Sequence, residues 1–327
     1  MLAYYYPWYG TPARSGHWVH WNANGLNPPD DIAAPFYPTL SPYDSQDPGV
    51  LWWHLAWAQL ARLDALVVSW WGRDSFEDQR LPTLFAAAAQ TPVKLALLLE
   101  PYAGQTSASF AADIEYLCQR WFSHPATLKV ARPTAYGPNP APRPLLFVYD
   151  PPITANDTAW LQTVDAIRGT ACDAIVLLRG DDSLTLTDGG VRYMTSWLHA
   201  DGVFNYGSYT YATPLPSSPD YLVVPAVAPG FDTTRVGGTA SIGRQAGARY
   251  DQSWSSAIGA GAQWVAVASF NEWHEGTQIE PAAAASSASY RYEDYEGHYG
   301  ATGLDAAVGY LNRTAYWVER FRAGPVP

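Results

Sequence analysis

The chain has 327 residues, 48% hydrophobic and 15% charged, which supplies a sizeable core and leaves no stretch with the low hydrophobicity and high charge of a disordered segment. A formal net charge of −11 argues against nucleic acid as a partner, no run of 18 apolar residues offers a membrane span, and the first residues lack the basic n-region of a signal peptide, although a leader removed beforehand would leave a secreted or periplasmic location open. The 15 Trp and 22 Tyr provide flat apolar faces with a polar edge, suited to sugar rings as well as to a core.

In chain order, residues 2–9 read as a strand ended by Pro7, which cannot donate to a ladder. Gly10 to Pro48 carries many turn residues and no periodicity, as in a long functional loop. A helix is expected over Val50–Arg62, a strand over Leu63–Trp71, a helix near 81–90, and a fully buried strand over Val93–Leu99, with Glu100-Pro101-Tyr102 at its end. Phe110, Ile114, Leu117, Cys118 and Trp121 form one helical stripe, and the proline-rich stretch 133–144 closes it.

Further strands are expected at Leu145–Asp150, Asp173–Leu178, Gly202–Tyr206, Tyr221–Val227 and Gln263–Ser269, and helices at Ala155–Arg168, Val191–His199, Arg249–Ala260 and Leu304–Phe321. Between Tyr206 and Tyr221 the Tyr-, Ser- and Pro-rich connection leaves room for little helix. Eight strands mostly separated by helices imply an α/β fold, a (β/α)8 TIM barrel with extended loops at its carboxyl-terminal face, forming a single catalytic domain over residues 1–327. The rival, an open doubly wound sheet, lacks the GxGxxG that a dinucleotide-binding version requires.

Barrel sites collect at the carboxyl ends of strands. Those ends hold Tyr6, Trp8, Ser69, Trp70, Trp71, Glu100, Tyr102, Tyr149, Asp150, Arg179, Asn205, Tyr206 and residues 271–275, a set of acids, amides and aromatics that is the chemistry of a sugar site. Within Phe270–Glu280, three acids, a histidine and two amides follow directly on a buried strand. Glu272 and Glu275 are the natural pair for an acid and an ionised partner whose pKa values are driven apart. The plainer account, glutamates favouring a helix dipole, does not require Asn271, Trp273 and His274 as well. Glu100 reads either as a site acid or as the partner of a buried arginine such as Arg179, and Trp70 and Trp71 either as packing or as stacking surfaces.

His17 and His20 lack a cysteine or carboxylate at metal-ligand spacing, and His274-Glu275 fails as a zinc HExxH because position 278 is Gln. No metal and no cofactor is expected. Absence of a GxSxG elbow, and the place of Cys118 on a core stripe, leave Ser or Cys nucleophiles without support. Cys118 and Cys172 allow at most one internal disulfide, and their apolar surroundings read as those of small core residues.

Tyr4-Tyr5-Tyr6-Pro7-Trp8-Tyr9-Gly10, Ser69-Trp70-Trp71-Gly72, Glu100-Pro101-Tyr102, Gly202-Val203-Phe204-Asn205-Tyr206, Pro225–Asp232 and above all Ser269–Pro281 resemble glycoside hydrolase family 99, the endo-α-mannosidases and endo-α-mannanases. The resemblance implies endo-cleavage of α-mannosides with retention and without a metal, the sugar's own 2-hydroxyl attacking the anomeric carbon to give a 1,2-anhydro sugar. It implies Glu272 as the base for that hydroxyl and Glu275 as the acid and later the base for water; the strand ends supply Tyr6, Trp8, Trp70, Trp71, Glu100, Tyr102, Tyr149, Asn205, Tyr206, Asn271 and His274 as substrate-binding candidates. Gln105 and Arg73 depart from the family pattern and bear on the neighbouring sugars. The expected partner is an oligosaccharide or polysaccharide, and the expected state a monomer. A non-catalytic glycan-binding barrel and a retaining hydrolase of another α-linked polysaccharide stand as the alternatives.

Overall fold

Strands buried on both faces must take both their hydrogen-bonding partners from neighbours, and here that requirement closes a ring. The computed structural model describes residues 1–133, 141–151, 158–179, 186–207, 210–211 and 214–324. Its parallel strands are β1 (Leu2–Tyr5), β2 (Ala65–Trp70), β3 (Lys94–Leu99), β4 (Arg143–Val148), β5 (Ile175–Arg179), β6 (Gly202–Phe204), β7 (Leu222–Val224, continued beyond Pro225 by Ala226–Val227) and β8 (Ala266–Val267). Neighbours pair in sequence order, the second segment of β7 pairs with β8, and β8 pairs with β1 through Leu2↔Ala266. This is the (β/α)8 barrel that the strand count implies.

The seam of the ring lies at Pro225. Proline has no N–H for the ladder, so β7 breaks there, yet its carbonyl still accepts the Ala266 N–H at 3.0 Å. On the β6 side, Asn205 Oδ1 accepts the Ala226 N–H at 2.7 Å, and Tyr211 Oη donates to the Ala226 carbonyl at 2.8 Å. Asn205, expected at the sugar, is thus buried in the barrel wall with its side chain turned to the strand break. Three residues back along β6, Gly202 brings β6 against β7 so closely that a Cβ would stand 2.1 Å from the Leu222 carbonyl oxygen.

Helices α1 (Pro48–Leu60), α2 (Leu81–Ala88), α3 (Ser107–Leu117), α4 (Thr158–Ile167), α5 (Asp188–Arg192), α6 (Ala248–Gly259), α7 (Gly303–Ala307) and α8 (Gly309–Ala323) belong to the described residues. Asp47 caps α1, accepting the Gly49 N–H at 2.7 Å ahead of Pro48, and Thr106 with Ser109 forms a capping box on α3. The single helix expected over 304–321 is broken at Val308, whose backbone leaves the helical region at φ −94° and ψ 7°, giving α7 and α8. The start of the helix expected from Ala155, and parts of the 133–144 and 207–220 stretches, lie outside the described residues.

Side-chain alternation divides the core into a barrel interior, with Tyr4, Tyr6, Val67, Leu98, Phe147, Leu177 and Phe204, and an outer layer against the helices, with Tyr5, Val68, Trp70, Leu97, Leu99 and Leu178. Cys118 and Cys172 are not separate core residues. They form a disulfide with Cα atoms 5.2 Å apart, because Cys118 lies at the half-buried edge of the α3 stripe, against the turn that leads into β5.

Replacing Asn205 by Ala leaves a buried Ala226 N–H without its acceptor, and the variant is expected to lose about 1–3 kcal/mol of stability. A urea unfolding midpoint equal to that of the wild type would remove Asn205 from barrel closure.

Candidate active site

The same alternation, continued one step past each strand, decides which side chains enter the mouth. Tyr4 and Tyr6 point inward from β1, Ser69 follows Val67, Glu100 follows Leu98, Tyr149 follows Phe147, Arg179 follows Leu177 and Tyr206 follows Phe204. Trp70 has the opposite parity, which contradicts its place among the sugar-binding candidates. Its ring is fully buried against the helices, and its indole N–H donates to Asp78 Oδ1 at 2.8 Å. Trp71 stays half-buried at the mouth and donates to Ser69 Oγ at 3.0 Å, while Ser69 donates to Glu100 Oε1 at 2.9 Å.

Past β8 the chain forms a tight loop. The Glu272 N–H donates to Ser269 Oγ at 2.7 Å, and the Glu272 carboxylate turns back to accept the N–H groups of His274 (3.1 Å) and Glu275 (3.0 Å). The return limb is held by Arg244, a buried guanidinium that donates to the carbonyls of Gly276 at 2.9 Å and Gln278 at 2.7 Å. Asn271, fully buried, exchanges two hydrogen bonds with the Tyr6 backbone at 2.7 and 3.0 Å, extending the pairing of β1 and β8 beyond the strands. It is therefore a wall residue like Asn205.

Glu275 opens into a lobe of about 310 Å³ shared with Tyr149, Arg179, Tyr206, Phe231 and Thr277. Tyr206 Oη donates to Glu275 Oε2 at 3.2 Å, and the Arg179 guanidinium stands 4.1 Å from the Tyr149 ring centre. The other predicted aromatics are less open. Trp8 is half-buried, its ring centre 4.4 Å from that of His20, on which it stacks, and 4.6 Å from that of Tyr6 at a tilt. Tyr102 turns to α3, donating to Asp113 at 2.6 Å. His274 donates through Nε2 to the His20 carbonyl at 2.8 Å.

Burial sets the charges. Removal from water raises Glu272 well above the usual carboxylate range, helped by the neighbouring Glu275 charge and opposed by the two amide N–H groups. Glu275 is raised by burial, against the pull of the Tyr206 hydroxyl and Arg179. Glu100 is pushed up to about 8, chiefly by burial, with Ser69 and Arg179 working the other way and the charges of Glu77 and Glu275 adding to the rise. Burial also pushes His20 down to about 3 and lowers His274, so both imidazoles are neutral. Arg179 and Ser69 were absent from the substrate-binding candidates, although counting inward positions from Leu177 and Val67 reaches both.

A parallel α/β barrel whose carboxyl-terminal mouth holds buried glutamates among tyrosines and tryptophans defines the class of barrel glycosidases. The profile of Glycosyl hydrolase family 99 matches residues 1–323, and the chain belongs to that family of glycoside hydrolases. It is 28% identical to a mouse glycoprotein endo-alpha-1,2-mannosidase-like protein, over 98% of this chain and 76% of that one. A Xenopus laevis glycoprotein endo-alpha-1,2-mannosidase is 29% identical over 97% of this chain and 76% of its own length. The GH99 endo-alpha-mannosidase structure from Bacteroides thetaiotaomicron superposes with a TM-score of 0.78 at 29% identity, covering 98% of this chain and 97% of that one.

Glu100 yields a pH prediction. Its folded pKa, about 8, lies above the ordinary 4.5, so its contribution to stability is fully present below about 4.5 and is lost as pH rises through about 8. Glu100→Gln removes that loss, and the variant should gain on the wild type by up to a few kcal/mol between those limits, with no further gain above them. Thermal unfolding of both proteins across this range checks it, and a difference independent of pH would refute the assignment.

Proposed function

We propose that this protein is a retaining, endo-acting hydrolase of α-mannosidic glycans that uses the substrate's 2-hydroxyl as its nucleophile. The observation that carries the assignment of roles is the asymmetry between two glutamates one turn apart. The Glu272 carboxylate accepts two amide N–H groups that pull against the rise imposed by burial and by the Glu275 charge, whereas among the described residues Glu275 accepts one tyrosine hydroxyl, at the edge of an open lobe near Arg179. A braced carboxylate suits a base, and an acid facing a lobe suits protonation of a leaving oxygen. The names of the relatives supply the sugar, since they act as endo-α-mannosidases.

In this reading, Glu272 takes the proton of the 2-hydroxyl as that oxygen attacks the anomeric carbon, while Glu275 gives its proton to the departing glycosidic oxygen. The product side leaves and a 1,2-anhydro sugar remains. Glu275, now ionised, takes a proton from water as the water oxygen attacks the anomeric carbon, and the opening 2-oxygen recovers its proton from Glu272. Two inversions give net retention. Such substrate assistance departs from the usual pairing of a carboxylate nucleophile with a carboxylic acid. Tyr6, Trp71, Glu100, Tyr149 and Tyr206 surround the sugar, and the barrel acts as one catalytic domain.

Glu275→Gln is expected to lower kcat about 10² to 10⁴-fold on an alkyl α-mannosyl disaccharide, where the leaving group depends most on acid help. The deciding experiment is incubation with an activated 2-fluoro α-mannoside followed by intact-mass analysis. Unmodified protein that binds the analogue without cleaving it is the expected result, because the internal nucleophile is missing. A covalent adduct on Glu272 would make that residue a nucleophile and overturn its role as base.

A further inference from the structure

The acid that the scheme above leaves without work is the third one of the Phe270–Glu280 stretch. Glu280 is fully buried, and donors surround its carboxylate. Oε2 accepts from Tyr43 Oη at 2.7 Å and from the Trp273 indole N–H at 3.0 Å, and Oε1 lies 3.2 Å from His54 Nε2. His54, from α1, is itself buried and stands 3.0 Å through Nδ1 from Tyr5 Oη. A hydroxyl that donates to Nδ1 leaves a ring proton on Nε2, so the Glu280 oxygens can be acceptors at each of these contacts, the pairing that a buried carboxyl group needs away from water. Its own main chain is pinned as well: the N–H donates to the Phe270 carbonyl at 2.9 Å, and its carbonyl accepts from Tyr295 Oη at 3.0 Å.

Trp273 is the reason this matters. It lies between Glu272 and Glu275, its ring is fully buried, and its backbone N–H donates to Tyr9 Oη at 3.0 Å while the same hydroxyl donates to the Asn271 carbonyl at 3.2 Å. Tyr43 Oη also receives from the indole at 3.1 Å and from Asn271 Nδ2 at 3.4 Å. The two reactive glutamates therefore flank a residue whose side chain is moored to the buried Glu280 carboxyl group.

We propose that Glu280 is a positioning residue: it anchors the Trp273 indole, and through it the Glu272–Glu275 loop, to β1 and α1. This rests on the roles given to Glu272 and Glu275 above. Glutamine can replace glutamate here at modest loss, because its oxygen still accepts from Tyr43 and Trp273 while its NH₂ group faces a His54 that has changed tautomer. Leucine cannot accept at all.

The test compares full-length wild type, Glu280→Leu, Glu280→Gln and Trp273→Phe, each assayed well below its own melting midpoint on an alkyl α-mannosyl disaccharide. Expected are a roughly 100-fold fall in kcat for Glu280→Leu with KM within about threefold, substantial rescue in Glu280→Gln, and no further loss when Glu280→Leu is combined with Trp273→Phe. A folded Glu280→Leu with kcat within threefold of wild type overturns the proposal. An equal loss in the Gln and Leu variants also overturns it, since the hydrogen bonds to Tyr43 and Trp273 that glutamine keeps would then not be what sustains kcat. Hydrogen exchange of the peptide spanning 270–280 needs no substrate and separates this proposal from the functional reading. If the wild type cleaves no α-mannoside the reading of the glutamates fails, yet faster exchange in Glu280→Leu still supports the anchor and unchanged exchange overturns it.

Discussion

A carboxylate withdrawn from water must either take up a proton or be met by donors on every side, and three glutamates within nine residues face that choice in different ways. Glu280 is ringed by a phenol, an indole and an imidazole. Glu272 has two backbone amides, and Glu275 has one tyrosine hydroxyl. The gradient from full to sparse hydrogen bonding runs from the layer between β1 and α1 toward the open lobe. Chemistry that moves protons is best placed at the sparse end, where neither ionisation state is locked.

That gradient depends on the wall behind it. Asn271 and Asn205 do for the ring what backbone ladders cannot, one beyond the end of β1 and β8 and the other where Pro225 interrupts β7. Arg244 fixes the return limb of the loop by its carbonyls, and three aromatic rings, those of Phe36, Tyr295 and Tyr310, stand within 5 Å of its guanidinium carbon. Polar groups that would cost several kcal/mol if buried alone are here the joints of the structure.

Much of this was legible in the sequence. Near-continuous apolar runs such as Val93–Leu99 mark strands buried on both faces, and acids at their ends mark the mouth of a barrel. Parity was also available, because inward residues alternate strictly: Leu177 leads to Arg179, and Val68 leads to Trp70 on the outer face. Treating every strand-end side chain alike is what put Trp70 among the sugar contacts. The roles of Asn205 and Asn271 were beyond local reading, since each answers a partner 21 or 265 residues away. The break between α7 and α8 was masked by a hydrophobic pattern that continues across Gly309, and the aromatic count could not tell Trp8, which stacks on His20, from Trp71 at the mouth.

The bond between Cys118 and Cys172 ties the end of α3 to the approach to β5, residues 54 apart in the chain. A link over that span restricts the unfolded chain far more than it restrains the barrel, by about 2–4 kcal/mol on the chain-entropy account. The stability of this enzyme therefore has a redox coordinate. The same polypeptide is a sturdier molecule among oxidants than among thiols, and its working lifetime follows the chemistry of its surroundings as well as their temperature.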